Sequence, residues 1–274
     1  IIEYLDYLQD LGITGLYLCP IFESPSNHKY NTTDYFEIDR HFGDKETFRQ
    51  LVDQAHQRGM TVMLDAVFNH MGDQSAQWQD ILKHGEKSAY KDWFHIQKLP
   101  VTNDKLVNPK ELPYHTFAFA SYMPKLNTEN PEVKGYLLSV ATYWIEHFDI
   151  DAWRLDVANE VDHQFWRDFR KAVLAQKPDL YILGEVWHTS QPWLNGDEFH
   201  AVMNYPLSDS IKDYFLSRSK KTSQFISEIN CQSMYYKQQI SEVMFNLLDS
   251  HDTERILTTS QGDIQLVKSA LAFL

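Results

Sequence analysis

Short apolar segments alternate with amphipathic helical patterns along most of this chain, which limits the folds open to it. In the helical patterns apolar residues recur three and four positions apart, as Phe48, Leu51 and Ala55 do. The strand-like apolar segments are residues 13–19, 60–67, 150–157, 180–185, 201–205 and 243–248. Strands that alternate with helices indicate parallel βα units, arranged either as a barrel or as an open doubly wound sheet.

Acidic residues stand at the ends of three of these segments. Asp156, Glu185 and Asp252 each follow an apolar run, and His70 follows another. A barrel draws its reacting residues from the C-terminal ends of several strands. An open dinucleotide-binding sheet is less favoured, because no Gly-x-Gly-x-x-Gly follows a strand. The sequence therefore predicts an α/β protein of the (β/α)8 TIM-barrel type.

The strand that carries Asp156 also carries Arg154 two positions earlier, so both side chains leave the same face. A guanidinium beside a carboxylate keeps the acid ionised and fixes the direction of its oxygens. A lone Arg-x-Asp is also typical of a buried structural ion pair. By itself this feature leaves both interpretations open.

Asp156 and Glu185 end consecutive strands with one helix between them. Neighbouring strands lie about 4.7–4.9 Å apart, and retaining glycoside hydrolysis needs two carboxyl groups about 5–5.5 Å apart. Asp156, beside Arg154, suits the nucleophile. Glu185 has no cation next to it in sequence and suits the general acid. We therefore expect a two-carboxylate site at these strand ends.

The strand–helix alternation stops at Met71 and resumes where Asn130 and Pro131 begin another helix. We interpret residues 71–121 as a subdomain inserted into the barrel. The barrel itself then consists of residues 1–70 and 122–274.

Composition argues against several classes of partner. The 274 residues carry a net charge of −13, whereas nucleic-acid binding needs a basic patch, so no nucleic-acid partner is expected. No apolar run reaches the length of about 18 residues that a membrane span requires, so no membrane partner is expected either. The two cysteines, Cys19 and Cys231, fit a reducing compartment. We predict a cytoplasmic protein, with the reservation that a leader upstream of residue 1 would change this.

Four short segments, taken together, resemble the four signature regions of the α-amylase family. They are residues 65–70 (Asp-Ala-Val-Phe-Asn-His), 153–160 (Trp-Arg-Leu-Asp-Val-Ala-Asn-Glu), 184–187 (Gly-Glu-Val-Trp) and 246–252 (Asn-Leu-Leu-Asp-Ser-His-Asp). They occur in the family's order and span most of the chain. One such segment has little specificity, whereas four in order are very specific to this family of glycosidases.

The resemblance implies a role for each of the three acids. Asp156 is implied as the nucleophile, Glu185 as the general acid and base, and Asp252 as the acid that steadies the distorted sugar ring. The implied substrate contacts at the cleavage point are Arg154, His70 and His251, with Tyr35 stacking on the sugar and Trp187 forming a platform for the leaving-side sugar. Taken alone, the histidines, Tyr35 and Trp187 would each be ordinary packing residues.

Two loops point to one branch of the family. Residues 123–127 (Met-Pro-Lys-Leu-Asn) and 24–30 (Ser-Pro-Ser-Asn-His-Lys-Tyr) resemble the neopullulanase, cyclomaltodextrinase and maltogenic amylase branch. This implies hydrolysis of α-1,4-glucosidic bonds in cyclomaltodextrins, pullulan and starch-derived maltooligosaccharides by double displacement, with some transglycosylation. An α-1,6-glucosidase or another specificity within the family is the alternative.

Matched to the family, the chain holds strands two to seven of the eight-strand barrel, with the subdomain inserted after strand three. An open barrel leaves unpaired strand edges, so the chain is interpreted as part of a longer protein. The resemblance implies a homodimer for that protein, with an α-glucan as its substrate partner. Activity of the part alone is an open question.

No cofactor is expected to be required, and calcium is the one ion to consider. Many relatives use the asparagine that matches Asn69 as a calcium ligand. Members of this branch often bind the ion in the loop after the first strand, which lies outside this sequence. No residue here is therefore assigned to a metal.

Two other classes of protein are consistent with acids at strand ends. A barrel that holds Mg²⁺ for isomerase or enolase-type chemistry would use them as metal ligands, but Arg154 in the same cluster would repel the ion. A carbohydrate-binding relative that has lost the reaction would usually lack one of the three acids, and all three are present here.

Overall fold

The computed structural model describes residues 1–101 and 109–274. Within these residues the chain divides into two compact units, Ile1–Ile182 and Leu183–Leu274. The strands are β1 (Gly15–Tyr17), β2 (Phe22–Glu23), β3 (Asp34–Ile38), β4 (Thr61–Ala66), β5 (Ala152–Leu155), β6 (Tyr181–Gly184) and β7 (Ala201–Val202). The α-helices are α1 (Leu5–Asp10), α2 (Lys45–Gln57), α3 (Ala76–His84), α4 (Pro131–Phe148), α5 (His163–Gln176), α6 (Tyr205–Ile211), α7 (Thr222–Tyr235), α8 (Gln238–Ser241), α9 (Ile256–Thr259) and α10 (Ile264–Phe273).

In the first unit β4 pairs in parallel with β1 on one side and with β5 on the other. Nearly all residues of β4 and every residue of β5 are buried, as expected where helices cover both faces of a parallel sheet. The register places Asp65 of β4 directly opposite Arg154 of β5. Two charged residues of different strands are thereby brought side by side in a buried sheet.

The long helices of this unit begin where the sequence predicts. The Asp44 side chain accepts a hydrogen bond from Thr47 N at the start of α2, and Asn130 accepts from Glu132 N at the start of α4. Both satisfy backbone donors that the first turn of a helix leaves unpaired. The predicted inward stripe of α4 is buried along its whole length: Val133, Leu137, Val140 and Trp144.

The core of the first unit is rich in aromatic side chains. Trp144 packs on Phe22 with ring centroids 5.1 Å apart, and its indole N–H donates to Tyr35 O at 2.9 Å. Phe68, just after β4, packs on Trp153 of β5 with ring centroids 6.2 Å apart. These rings join β2, β4, β5 and α4 into one hydrophobic core, which fixes the sheet that carries Asp65 and Arg154.

Residues 24–39 are polar and rich in turn-forming residues, which predicts a loop, but they contain a strand. β3 pairs in antiparallel fashion with β2, so the loop prediction is wrong for residues 34–38. The pattern is hard to recognise because Tyr35 alone of this strand is fully inward-facing, and its partner strand is only two residues long.

The described part of the segment predicted as an inserted subdomain contains α3, capped by Ser75, and isolated β-bridges such as Ile96 with Tyr114. The Trp78 ring packs against Phe94 and Tyr114 at 4.9 and 4.7 Å. Residues 102–108 lie outside the described residues. The boundaries at 71 and 121 stay a prediction.

In the second unit β6 pairs in parallel with β7, Leu183 opposite Ala201 and Gly184 opposite Val202. The predicted strand at 243–248 is wrong, because only one residue there, Phe245, forms a β-bridge, with Met203. A single bridge fixes the backbone at one point and leaves the remaining residues irregular.

The helical part of the second unit differs from the prediction in extent. The sequence predicts a helix over residues 211–219; in the structure this helix begins earlier, as α6, and continues as a π-helix over Lys212–Leu216. α7 occupies residues for which the sequence showed no clear pattern. These helices pack around a small core, and its buried residues are Ile211, Leu216, Phe225, Leu248 and Ala270. Among the described helices, none has the length and apolar content needed to cross a membrane.

Candidate active site

The centre of the first unit's site is a buried group of two carboxylates and one guanidinium. Arg154 Nη1 lies 2.7 Å from Asp156 Oδ1 and 3.0 Å from both carboxylate oxygens of Asp65. All three side chains are almost completely removed from solvent. Buried charges persist only when they are paired and hydrogen-bonded, so this group has one strongly preferred arrangement.

Two tyrosines complete the environment of Asp65. The hydroxyls of Tyr17 and Tyr30 donate to Asp65 Oδ2 at 2.6 and 2.9 Å. Burial is the main cause that raises the pKa of both tyrosines, and the charge of Asp65 is the second. Both hydroxyls therefore remain donors. The Arg154 guanidinium also lies over the Tyr30 ring, 5.9 Å from its centroid. Asp65 therefore serves as an anchor for Arg154 and Tyr30.

The backbone turns sharply just after Asp156. The Asp156 N–H donates to Ala66 O at 3.1 Å, which prolongs the β4–β5 pairing to the acid itself. The next residue, Val157, has a φ of +47°, in the left-handed region that a β-branched residue seldom occupies. The strand thus ends at Leu155, and Asp156 follows it directly, with its carboxylate held at the sheet edge.

Tyr35 does not fit its predicted role as a stacking platform. Its ring is fully buried between Phe22, Phe68 and Tyr136, and its hydroxyl donates to the carbonyls of Val67 and His70. A ring without exposed surface cannot stack on a sugar, so this prediction is wrong. Tyr35 acts as a packing residue behind the site.

Tyr30 has the properties that were expected of Tyr35. It is half-buried and borders Asp65 and Arg154 directly. Tyr30 is the last residue of the 24–30 loop, and the sequence alone assigns it no role. The signal that favours it is its position beside the turn residues of the 24–30 loop, where an aromatic side chain is free of strand packing.

His70 is buried, and both of its ring nitrogens are hydrogen-bonded within the protein. Nε2 lies 3.0 Å from Tyr30 O, Nδ1 lies 3.2 Å from Asn69 Nδ2, and the ring stacks on Phe117. Burial lowers the pKa of His70 to about 3, so the imidazole is neutral. His70 has no exposed surface, and the predicted contact between His70 and a sugar stays a prediction.

In the second unit Glu185 follows β6 directly and is buried. The Trp187 indole N–H donates to Glu185 Oε1 at 3.2 Å. The Trp187 ring stacks on Tyr205, with centroids 3.9 Å apart and planes 6° apart. Trp187 is 46% exposed, which a platform for a sugar requires. The structure thus couples the predicted acid to the predicted platform through one hydrogen bond.

Gly184, just before Glu185, is a position where only glycine fits. A Cβ on Gly184 would lie 2.5 Å from two carbons of the buried Phe199 ring. This close packing fixes the end of β6 against the segment that leads into β7. The position of Glu185 is set by that contact.

Asp252 lies in a turn that closes on itself. The Asp252 N–H donates to Ser250 Oγ at 3.2 Å, and Ser250 N–H donates to Thr253 Oγ1 at 2.8 Å. His251 Nε2 lies 3.1 Å from Asp252 Oδ2. The Tyr205 hydroxyl lies 3.2 Å from Ser250 Oγ. The two residues predicted at this position, His251 and Asp252, are therefore adjacent in space and in sequence.

Residues 1–101 and 109–274 contain no group of three or more His, Cys, Asp or Glu side chains placed to hold one metal ion. The buried Asn69 Oδ1 has no hydrogen-bond partner in this part of the chain. One such oxygen falls far short of the about six to eight that calcium takes. The expectation about calcium stays a prediction, and no step of the proposed reaction uses a metal.

Comparison with known proteins identifies the family. The model of the α-amylase catalytic domain matches residues 1–274. The chain belongs to the α-amylase family. The resemblance of the four signature segments is thereby confirmed, and with it the TIM-barrel fold class.

Curated α-amylase family relatives carry the names of the predicted branch. An intracellular maltogenic amylase of Bacillus subtilis (strain 168) is 58% identical over 274 residues, which are 100% of this chain and 45% of the relative. Neopullulanase 2 of Thermoactinomyces vulgaris is 50% identical over 274 residues, which are 46% of its length. The chain thus spans less than half the length of these relatives.

A solved cyclomaltodextrinase structure matches this chain with a TM-score of 0.95 and 53% identity. The match covers 99% of this chain and 46% of the cyclomaltodextrinase chain. The cyclic α-maltosyl-(1→6)-maltose hydrolase of Arthrobacter globiformis, in its ligand-free form, also has a TM-score of 0.95, at 40% identity. This comparison covers 100% of this chain and 61% of that one. These α-amylase family structures agree with the predicted architecture of the chain.

Proposed function

We propose that the protein to which this chain belongs is a retaining α-glucan hydrolase. It cleaves α-1,4-glucosidic bonds of cyclomaltodextrins, pullulan and starch-derived maltooligosaccharides, with some transglycosylation. The observation that carries the proposal is the buried Arg154–Asp156 pair at the end of β5, in a chain that keeps all three family acids. Relatives named maltogenic amylase, cyclomaltodextrinase and neopullulanase support this substrate class.

In the proposed first step the Asp156 carboxylate attacks the anomeric carbon while the Glu185 carboxyl gives its proton to the leaving glycosidic oxygen. A covalent glycosyl-enzyme forms, and the C–O bond to the leaving sugar breaks. Arg154 donates to Asp156 Oδ1 and keeps the carboxylate ionised and oriented for this attack.

In the second step the Glu185 carboxylate takes a proton from a water molecule, whose oxygen attacks the same carbon and releases Asp156. A sugar hydroxyl in place of that water gives transglycosylation. Asp252 is proposed to stabilise the distorted ring, and Arg154, His70 and His251 to contact the sugar at the cleavage point. Trp187 is proposed as the leaving-side platform.

Replacement of Glu185 by Gln in the intact protein tests the assignment. The amide cannot donate or accept the catalytic proton, so turnover of β-cyclodextrin is expected to fall by about 10²–10⁴-fold, with substrate binding retained. Glu146→Gln, an exposed change on α4, is the matched control and should leave turnover unchanged. Full turnover by Glu185→Gln would overturn the proposal, and tight binding without turnover by the unmodified protein would favour a carbohydrate-binding relative.

The specificity within the family has one alternative. Structures named debranching enzyme, from Nostoc punctiforme, align with this chain at a TM-score of 0.92 and 36% identity. That name favours considering an α-1,6 activity as well. Comparing the products from pullulan, isomaltose and β-cyclodextrin distinguishes the two: cleavage of isomaltose would favour α-1,6 specificity.

Location and assembly complete the proposal. A cytoplasmic location is supported by the word intracellular in the name of the Bacillus subtilis relative. A homodimer is proposed from the resemblance to the branch, and sedimentation of the intact protein tests it. The substrate partner is an α-glucan, in line with the cyclic maltosyl-maltose hydrolase among the similar structures.

A further inference from the structure

Lys29 is a buried lysine next to the site of the first unit. It is 4% exposed, and its Nζ donates to Asp39 Oδ2 at 2.7 Å and to Ser24 O at 3.0 Å. Lysine is almost never buried to this extent unless it is paired. The pair joins the loop of residues 24–30 to the end of β3.

Asp39 is held as tightly as its partner. It accepts hydrogen bonds from the backbone N–H groups of Ser24 and His41 at 3.2 and 3.0 Å, and the His41 ring nitrogen lies 2.6 Å from Oδ1. Burial opposes its ionisation, but the hydrogen bonds from Lys29 and His41 outweigh it and hold the pKa of Asp39 well below its usual range. The Asp39 carboxylate is therefore ionised at neutral pH where it meets Lys29 Nζ.

The backbone of Lys29 occupies an uncommon conformation. Its φ is +67°, in the left-handed region that residues other than glycine seldom adopt. Such a conformation costs free energy and persists only where surrounding contacts impose it. Lys29 is held there by the Nζ contacts with Asp39 and Ser24 and by its backbone N–H, which donates to Ser26 Oγ at 3.1 Å.

The residues that follow Lys29 are fixed at each step. Tyr30 O lies 3.0 Å from His70 Nε2, which donates to it. Thr32 O accepts from Gly72 N at 2.7 Å. Tyr30 is thus the residue between the left-handed turn and a clamped backbone, and the direction of its side chain is set by that turn.

That side chain reaches the centre of the proposed chemistry. The Tyr30 hydroxyl donates to Asp65 Oδ2, and its ring lies beneath the guanidinium that holds Asp156. A change in the turn at Lys29 would move both the hydroxyl and the ring.

We propose that Lys29 is a positioning residue, whose buried ion pair with Asp39 fixes the turn that aims Tyr30 at the Asp65–Arg154–Asp156 group. The inference rests on the proposed function, because it assigns Lys29 a part in that reaction. Replacing a buried ion pair by apolar residues is often neutral for stability. A role in fixing one arrangement of Tyr30 explains its presence better than stability does.

The test is a double-mutant cycle in the intact protein, with kcat and KM for β-cyclodextrin measured for each variant. Lys29→Met alone is expected to lower kcat/KM by roughly 10- to 100-fold, since a misplacement of about 1 Å can cost that much. In a Tyr30→Ala background, the same change is expected to lower kcat/KM by less than about twofold, because the side chain that Lys29 positions is gone. An equal loss in both backgrounds would overturn the inference.

Two further variants keep the test decisive. Asp39→Asn removes the charge of the partner with almost no change of shape. If Lys29→Met does not fold, Asp39→Asn replaces it in the double-mutant cycle with Tyr30→Ala. Lys45→Met breaks the exposed Lys45–Glu37 pair of the same region and should leave kcat and KM unchanged. If the unmodified protein shows no turnover, the proposed function fails. If it turns over and the Lys29 and Tyr30 effects multiply independently, only the positioning role fails.

Discussion

Arg154 Nη1 donates to Asp156 Oδ1 at 2.7 Å and so holds the carboxylate in place. The same nitrogen binds the carboxylate of Asp65 on the neighbouring strand. One guanidinium therefore offsets two buried negative charges. The nucleophile of the proposed reaction is held by a contact that also joins two strands of the sheet.

Removing this guanidinium should cost both activity and stability. In Arg154→Met two carboxylates lose their counter-ion while buried, and breaking a buried pair typically costs about 3–5 kcal/mol. The free energy of unfolding, measured with urea, is expected to fall by about that amount, and turnover of β-cyclodextrin to be lost. Arg154→Lys should also fail to restore turnover, because an ammonium cannot reproduce the planar contacts of a guanidinium.

Arg58→Met is the matched control for this prediction. Arg58 pairs with Asp6 at the surface, at 2.7 Å, and exposed pairs contribute about 0–1 kcal/mol. A loss of stability in Arg154→Met no larger than that in Arg58→Met would show that the buried group is not a structural anchor.

His70 should make the stability depend on pH. Its pKa is lowered by burial from 6.5 to about 3. Below 6.5 the unfolded chain takes up a proton that the native chain does not, so stability falls as pH falls towards 3 and is unaffected by His70 above 6.5. As the pH is lowered from about 6 to about 4, the free energy of unfolding should fall in both proteins. In the unmodified protein it should fall more steeply than in His70→Gln, by roughly 1.4 kcal/mol per pH unit. Parallel pH curves for the two proteins would contradict the prediction.

The helices and acid-bearing strand ends could be predicted because their signals are local. Asp44 and Asn130 cap helices within three residues of themselves, and buried stripes repeat at the helical period. Asp156 and Glu185 follow apolar runs that end where the strands end. These features depend on neighbouring residues, and the sequence shows them directly.

Other features depend on distant residues and were missed or misplaced. β3 exists because Phe22 and Glu23 pair with it, and the segment at 243–248 is irregular because only Phe245 finds a bridge partner. Tyr30 and Tyr35 lie five residues apart, yet the left-handed turn at Lys29 and the packing of β3 decide which ring borders Arg154. No spacing rule distinguishes two nearby tyrosines in such a case.

Gly184 should tolerate no side chain. In Gly184→Ala the new Cβ would lie 2.5 Å from the Phe199 ring, whose burial leaves it little room to move. Overpacking of this kind costs about 1–3 kcal/mol, and we expect that loss in urea unfolding together with a lower kcat, since Glu185 is the next residue. Gly135→Ala in α4 is the control, because its Cβ meets nothing within 4 Å and alanine favours the helix. Equal stabilities of the two variants would refute the prediction.

Trp187 contacts Glu185 by its indole N–H and Tyr205 by its ring, and two substitutions separate these contacts. Trp187→Phe keeps an aromatic ring for Tyr205 and removes the donor. A typical hydrogen bond contributes about 0.5–1.5 kcal/mol, so kcat is expected to fall by roughly 2- to 10-fold and the free energy of unfolding by at most about 1.5 kcal/mol. Trp187→Ala also removes the ring stack on Tyr205, which contributes about 0.5–1.5 kcal/mol beyond the buried area, so it should lower stability as well. If the ring binds the leaving-side sugar, Trp187→Ala should also raise KM. An unchanged kcat in Trp187→Phe would show that the hydrogen bond to Glu185 has no part in the reaction.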